Sequence, residues 1–139
     1  MNKTFLQTAA WLGALSVILG AFGAHGLKQL LVGNDALKIY ETAVRYQFYH
    51  VFALALVGIL CKEFSNKLVY YAGVFFVIGI IFFSGSLYVL TYKTAANING
   101  LNWVGPITPI GGVFFIIGWI CLATGLTANK KTKETKTNN

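Results

Sequence analysis

The sequence predicts an all-α integral membrane protein, a bundle of four membrane-spanning helices with a short amphipathic helix between the first and second spans. Three observations carry this expectation. Hydrophobic residues make up 56% of the 139-residue chain and charged residues only 11%, whereas about a quarter of a soluble domain is charged. The mean hydropathy of +0.65 is more than a soluble core of this length could hide. Finally, the apolar residues gather into four runs at 5–24, 46–61, 68–92 and 107–126. Most of these runs are near the roughly 20 residues that cross about 30 Å of hydrocarbon. The length suits one domain, 1–126, followed by a lysine-rich tail.

The net charge of +7 does not point to nucleic acid, because the basic residues lie between apolar runs and in the tail. Positive charge in that position reports topology. Cys61 and Cys121 stand where apolar runs end and read as small apolar residues. No CxxC, HExxH, P-loop or GxGxxG–strand–helix pattern occurs. No metal, cofactor or catalytic residue is therefore expected.

In chain order, Met1–Thr4 is a short basic start and Phe5–Ala24 is the first span. A cleaved signal peptide competes with that reading, because Ala21–Phe22–Gly23 resembles a cleavage site. The run is long for a signal core, however. It also carries Ala9, Gly13, Ser16, Gly20 and Gly23 at spacings of four and three. Such a seam of small residues lets another helix approach closely in lipid.

Gly33–Asn34–Asp35 reads as a turn, with Asn34 or Asp35 able to cap a following helix. Beyond it, Asp35, Lys38, Glu41, Thr42 and Arg45 share one helical face. Ala36, Leu37, Tyr40, Ala43, Val44 and Gln47 fall mostly on another. Glu41 and Arg45 stand at i,i+4 in the favourable order. The plain reading is a solvated face at the membrane surface, and the sharper one a charge pair guarding a cavity. No breaker separates this helix from Phe48–Cys61, so the second span is placed at 46–61, with Tyr46 and Tyr49 in the interfacial layer.

Lys62–Lys67 is a polar turn, and Leu68–Tyr92 is the third span. Ser84, Tyr88 and Thr91 are spaced four and three apart, which sets three hydroxyls on one face. Lys93–Val104 is a polar loop, and Trp103 marks the membrane boundary. Pro106 and Pro109 fall at the start of the last helix, where a missing N–H costs nothing. Ile107–Leu126 spans again, with Gly111, Gly118 and Gly125 forming a second close-packing seam. Residues 127–139 are polar and low in complexity, which predicts a disordered tail.

With four spans, Lys3, Lys62, Lys67 and the four tail lysines lie on one side, against Lys28, Lys38, Arg45 and Lys93 on the other. That bias places both termini in the cytoplasm. It also places His25, Gln47, His50, Ser84, Ser86, Tyr88, Thr91 and Thr108 at or near the outer ends of their helices, and the candidate polar cluster is His25, Glu41, Arg45, Gln47, His50, Ser84, Ser86 and Tyr88.

Four blocks carry a family resemblance: GAFGAHGL (20–27), TAVRYQFYH (42–50), FSGSLYVL (83–90) and PITPIGG (106–112). Together they resemble the small four-helix membrane proteins of the domain of unknown function 423 family, also called uncharacterised protein family 0382. The resemblance runs from about Phe5 to Leu126 and leaves out the tail. It implies a multi-pass protein of the bacterial cell membrane, and it supplies no activity and no catalytic residue.

The residues themselves leave few chemistries open. Two histidines without a nearby carboxylate or thiolate make a poor metal site. They read first as hydrogen-bonded structural groups, with haem ligation or proton relay as the sharper alternatives. Ser84 as a nucleophile would need a base held by a third group, and no intramembrane Asp or Glu is there to hold it. The expected role is thus non-catalytic: contact with membrane lipids, with a second copy of the chain as a homo-oligomer, or with other membrane proteins. The alternative is a small-solute or ion transporter with its site in the outer half. A cation-coupled exporter would lack its embedded carboxylate, because Asp35, Glu41, Glu63 and Glu134 lie outside the apolar runs.

Overall fold

The first helix starts where Asn2 can cap it. The Asn2 side chain accepts a hydrogen bond from the Phe5 amide at 3.2 Å, and the Asn2 backbone N–H donates to the Gly58 carbonyl at 2.8 Å. The computed structural model describes residues 1–30, 35–98, 100 and 102–137, and of 30, 102 and 128–137 the backbone alone. The expected turn at Gly33–Asn34 lies outside the described residues.

Helix α1 runs from Lys3 to Phe22 and passes into a π-helical turn, Gly23–Leu27, then the short α2, Lys28–Leu30. Helix α3 is Asp35–Leu60. The amphipathic stretch and the second span are therefore one continuous helix, as the absence of any Gly or Pro between Asp35 and Val57 allows. The third span is α4, Lys67–Gly79, a second π-helical turn, Ile80–Ser84, and α5, Gly85–Ala95. It ends in a left-handed cap: Asn97 takes φ 51°, and the Ile98 N–H reaches back to the Lys93 carbonyl. A 3₁₀ turn at Asn102–Val104 leads to α6, Ile107–Thr137.

Among the described residues, four helical stretches are long and apolar enough to cross a membrane: Lys3–Leu27, Asp35–Leu60, Lys67–Ala95 and Ile107–Thr127. The backbone of α6 stays helical to Thr137, through the stretch where the sequence predicts a disordered tail. No Gly or Pro follows Gly125 to end it.

The helices pack largely in chain order. Helix α1 lies against α3, α3 against the third span, and the third span against α6. Both small-residue seams face their neighbours as expected. On α1, Ala9, Ser16 and Gly23 are buried, with Ser16 meeting Gln47 and Gly23 meeting Tyr40 of α3. On α6, Gly118 meets the Phe76 ring and Gly125 meets Val69. The apolar core of Leu54, Val57, Val69, Ala72 and Phe76 fills the half of the bundle nearer the termini. Asn66 closes that end: it caps α4 through the Leu68 amide and donates to the Gly125 carbonyl at 3.1 Å. The polar side chains gather above this core.

Candidate functional site

Gln47 is the centre of the polar region. It stands about 18 Å along α3 and is 2% exposed. Its amide nitrogen donates to the Ser16 hydroxyl at 2.9 Å and to the Leu12 carbonyl at 3.4 Å. Its carbonyl oxygen accepts from the Tyr88 hydroxyl at 2.9 Å. Ser16 in turn donates to Leu12 at 2.8 Å. One side chain thus ties three spans. An unmet amide at this depth would cost a few kcal/mol, and here every hydrogen-bonding group of the side chain is met. A second tie lies one layer toward the start of α3, where the Tyr40 hydroxyl donates to the Leu19 carbonyl at 2.7 Å. The Tyr40 ring meets that of Tyr88 at 5.6 Å between centroids.

The third span bears on α3 and α6 around its π turn. A π turn inserts one residue into the helix and shifts the faces beyond it. Ser84, at the end of this one, is fully buried and donates to the Ala43 carbonyl at 2.9 Å. Two residues on, Ser86 meets the Thr108 hydroxyl of α6 at 2.7 Å. Gly111 of α6 sits directly on the Phe82–Phe83 backbone, and a β-carbon there would come within 2.7 Å of the Phe83 Cα. Backbone cannot swing aside as a side chain can, so only glycine seats α6 here. Ser84 and Tyr88 do face α3 together, as their spacing predicts. Thr91 instead donates within its own helix, to Leu87.

His50 belongs to a separate aromatic layer. Its Nε2 faces the Trp119 indole N–H at 3.3 Å, and its Nδ1 faces the Tyr46 carbonyl at 2.8 Å. An indole can only donate and a carbonyl can only accept. The ring is therefore the neutral Nδ1–H tautomer, with both nitrogens engaged. The Phe115 ring stacks on it at 3.4 Å, nearly parallel. This leaves no lone pair free for a metal or haem iron. Among the described residues, no group of three or more His, Cys, Asp and Glu side chains gathers as a metal shell requires.

The candidate residues thus divide. Gln47 and Tyr88 are bonded to each other, Ser84 and Ser86 tie the third span to α3 and α6, and His50 is buried apart from them in the aromatic layer. Gln47 and His50 are at mid-helix, not near an outer end, because α3 begins at Asp35 rather than Tyr46. His25 is not with them. It is exposed in the π turn after α1, facing only the Ala21 carbonyl of its own helix at 3.2 Å. Glu41 and Arg45 are exposed on a different side of α3, on a groove of about 300 Å³. Gly20, Gly23 and Ala24 form its opposite wall, with Tyr40, Val44 and Phe48 between. No ion pair joins Glu41 to Arg45 among the described residues, whereas Lys38 pairs with Asp35 at 3.2 Å.

Sequence reasoning missed Ser16, Tyr40 and Trp119 as partners. Ser16 reads only as a small seam residue. Its hydroxyl becomes legible once Gln47, the lone amide in its run, is known to face α1. No described buried side-chain nitrogen or oxygen is left without a partner.

The four sequence blocks meet in pairs in this region. Gly20 and Gly23 of the first block face Val44 and Tyr40 of α3. Ser86 and Phe83 of the third face Thr108 and Gly111 of the fourth. The Gln47–Tyr88 bond joins the two pairs. Comparison with known proteins finds the same stretch. The family model described as "Protein of unknown function (DUF423)" matches residues 19–112, which hold all four blocks. A UPF0382 membrane protein of Staphylococcus aureus is 44% identical over 120 residues, covering 86% of this chain and 92% of that one. A UPF0382 membrane protein of Haemophilus influenzae is 39% identical over 130 residues, 94% and 98% of the two chains. The UPF0382 membrane protein YwdK of Bacillus subtilis is 40% identical over 121 residues, 86% and 93%. No solved structure matches this chain.

Proposed function

We propose that this chain, which belongs to the DUF423 family of membrane proteins of unknown function, acts without catalysis in the bacterial plasma membrane, through contact with lipids and with membrane proteins, a second copy of itself included. One observation carries the reading: Gln47 spends its whole amide on holding α1, α3 and the third span together. A transport site in the same place would need those groups turned toward a connected wet path. Instead they are paired across close helix contacts, in the manner of buried polar groups that fix a packing arrangement.

The bacterial relatives support the plasma membrane as the location. Lys3, Lys62, Lys67 and the tail lysines support cytoplasmic termini.

Reconstitution tests the reading. Vesicles holding the purified chain are expected to pass protons, potassium and small metabolites no faster than empty vesicles. A protein-dependent flux that Gln47→Leu abolishes would overturn it in favour of the transporter. Orientation is tested separately, with reporters fused after Asn139 and inserted in the Lys93–Val104 loop. A cytoplasmic signal at the first and an external one at the second is the expected pattern, and the reverse overturns the assignment.

A further inference from the structure

The groove beside Glu41 and Arg45 does not stop at Phe48. A second groove, of about 330 Å³, continues from Phe48 along the same α1–α3 junction, past Gly13, Val17, Val51 and Phe52 to Ala55. The first groove has Gly20, Gly23 and Ala24 on its α1 wall, and the second has Ala9, Ala10 and Gly13. Small residues are prominent on the α1 wall of both grooves, and Phe48 lines both. From Glu41 to Ala55 it covers about 21 Å of helix, comparable with an extended acyl chain. Its upper end is charged and its lower end wholly apolar.

Depth says what environment each end meets. Lys62, in the polar turn after α3, marks one edge of the hydrocarbon. Glu41 lies 21 residues earlier on an unbroken helix and turn. That is about 31 Å, close to one hydrocarbon thickness. Glu41 therefore stands at the edge of the hydrocarbon, and Arg45, about 6 Å deeper, reaches the phosphate layer by extending its long side chain outward, with the apolar groove running from there into the acyl layer. Glu41 lies one turn farther out than Arg45. Neither side chain has a hydrogen bond or ion pair among the described residues. The charges thus fall in the order phosphate site, then amine site, moving outward.

We propose that this groove seats one glycerophospholipid of the amine-headgroup class, with its phosphate at Arg45, its ammonium at Glu41 and one acyl chain along the groove to Ala55. Arg45 offers the forked donor geometry that phosphate oxygens match. Glu41 favours a headgroup ending in a cation and disfavours an anionic or neutral glycerol headgroup. The seat rests on the non-catalytic, contact-based reading above and gives it a specific ligand.

The test uses the full chain, purified in detergent and offered phosphatidylethanolamine, phosphatidylglycerol or diacylglycerol of matched acyl chains, with bound lipid counted by native mass spectrometry. The wild-type chain is expected to retain phosphatidylethanolamine above phosphatidylglycerol, and both above diacylglycerol. Arg45→Gln should lower phosphatidylethanolamine occupancy about tenfold, the loss of one charge-assisted contact. Glu41→Gln should erase the preference between the two phospholipids while leaving phosphatidylglycerol bound. Gly20→Leu, which fills the groove without touching a charge, should lower all three lipids. Lys38→Gln, on the same helix but outside the groove, should change nothing. Equal retention of diacylglycerol and phosphatidylethanolamine by the wild type, or unchanged occupancy and preference in both charge variants, overturns the seat. Gly20→Leu adds pressure only if it folds, and the two exposed charge variants decide the matter without it. A failed seat with tight vesicles would leave the contact-based role standing. Leaky vesicles would remove that role whatever the groove binds.

Discussion

On its inward face α3 presents Ala36, Ala43, Gln47 and His50, all buried. On a neighbouring face it presents Glu41, Val44, Arg45 and Phe48 to an open groove. Both faces carry polar groups, yet they use them in opposite ways. Each polar atom of the inward side chains has a partner on a helix, and the groove charges have none among the described residues. The difference teaches how to read polar residues in a membrane helix. A polar residue among small neighbours, such as Gln47 facing Ser16, serves packing. A charged residue at headgroup depth beside a groove is left for something outside the chain.

That comparison can be broken from either side. The largest effect is expected at Gly111, which seats α6 on the backbone of the π turn that also carries Ser84. Gly111→Ala should cost about 3 kcal/mol or more, since overpacking against backbone has no easy relief. Unfolding in mixed detergent micelles measures it. A loss under 1 kcal/mol, the ordinary range of a tolerated change, would show the contact to be loose.

Gln47→Leu should cost about 1–2 kcal/mol by leaving the Tyr88 hydroxyl without its acceptor and removing the bond to Ser16, which keeps only its own bond to Leu12. In a double-mutant cycle, Gln47→Leu with Tyr88→Phe should show a coupling near 0.6 kcal/mol, the usual worth of one such bond in a bilayer. Additivity of the two would mean that the bond is not made. His50→Leu should cost about 1 kcal/mol through lost stacking on Phe115 and the freed Trp119 N–H. It should also shift Trp119 fluorescence, and an unmoved spectrum would contradict the contact.

The smallest stability effect belongs to the open face. Arg45→Gln should change unfolding by no more than about 0.5 kcal/mol, even as it alters lipid retention. A large destabilisation would place Arg45 among the packing residues and erase the contrast between the faces.

Much of this architecture was legible in the sequence, because lipid imposes simple rules. Span length, small-residue seams and the Pro106 start all follow from helix geometry and from the need to satisfy backbone groups within a segment. The amphipathic face was legible too: Asp35, Lys38, Glu41 and Arg45 are exposed, and Ala36, Tyr40 and Ala43 are buried. The site was harder. Helix α3 begins at Asp35, well before the 46–61 span, so Gln47 and His50 lie deeper than a helix end. Depth alone groups His25 with them, and depth does not fix which way a helix turns. The π turns at Gly23–Leu27 and Ile80–Ser84 rotate the faces beyond them, and no 3.6-residue pattern can predict that shift. Partners such as Ser16 and Trp119 depend on helix–helix register, which is tertiary information.

The contrast between a closed and an open face is tested most directly by cysteine accessibility in lipid nanodiscs, where both membrane surfaces meet the reagent. With Cys61 and Cys121 replaced, single cysteines are placed at Glu41 and at Ser84 and exposed to a charged maleimide. The Glu41→Cys chain is predicted to label promptly. The Ser84→Cys chain is predicted to stay protected until the bundle is unfolded in strong detergent. Labelling of Ser84→Cys in the folded protein at the rate of Glu41→Cys would mean a wet interior, and would contradict the packed polar core on which the account stands.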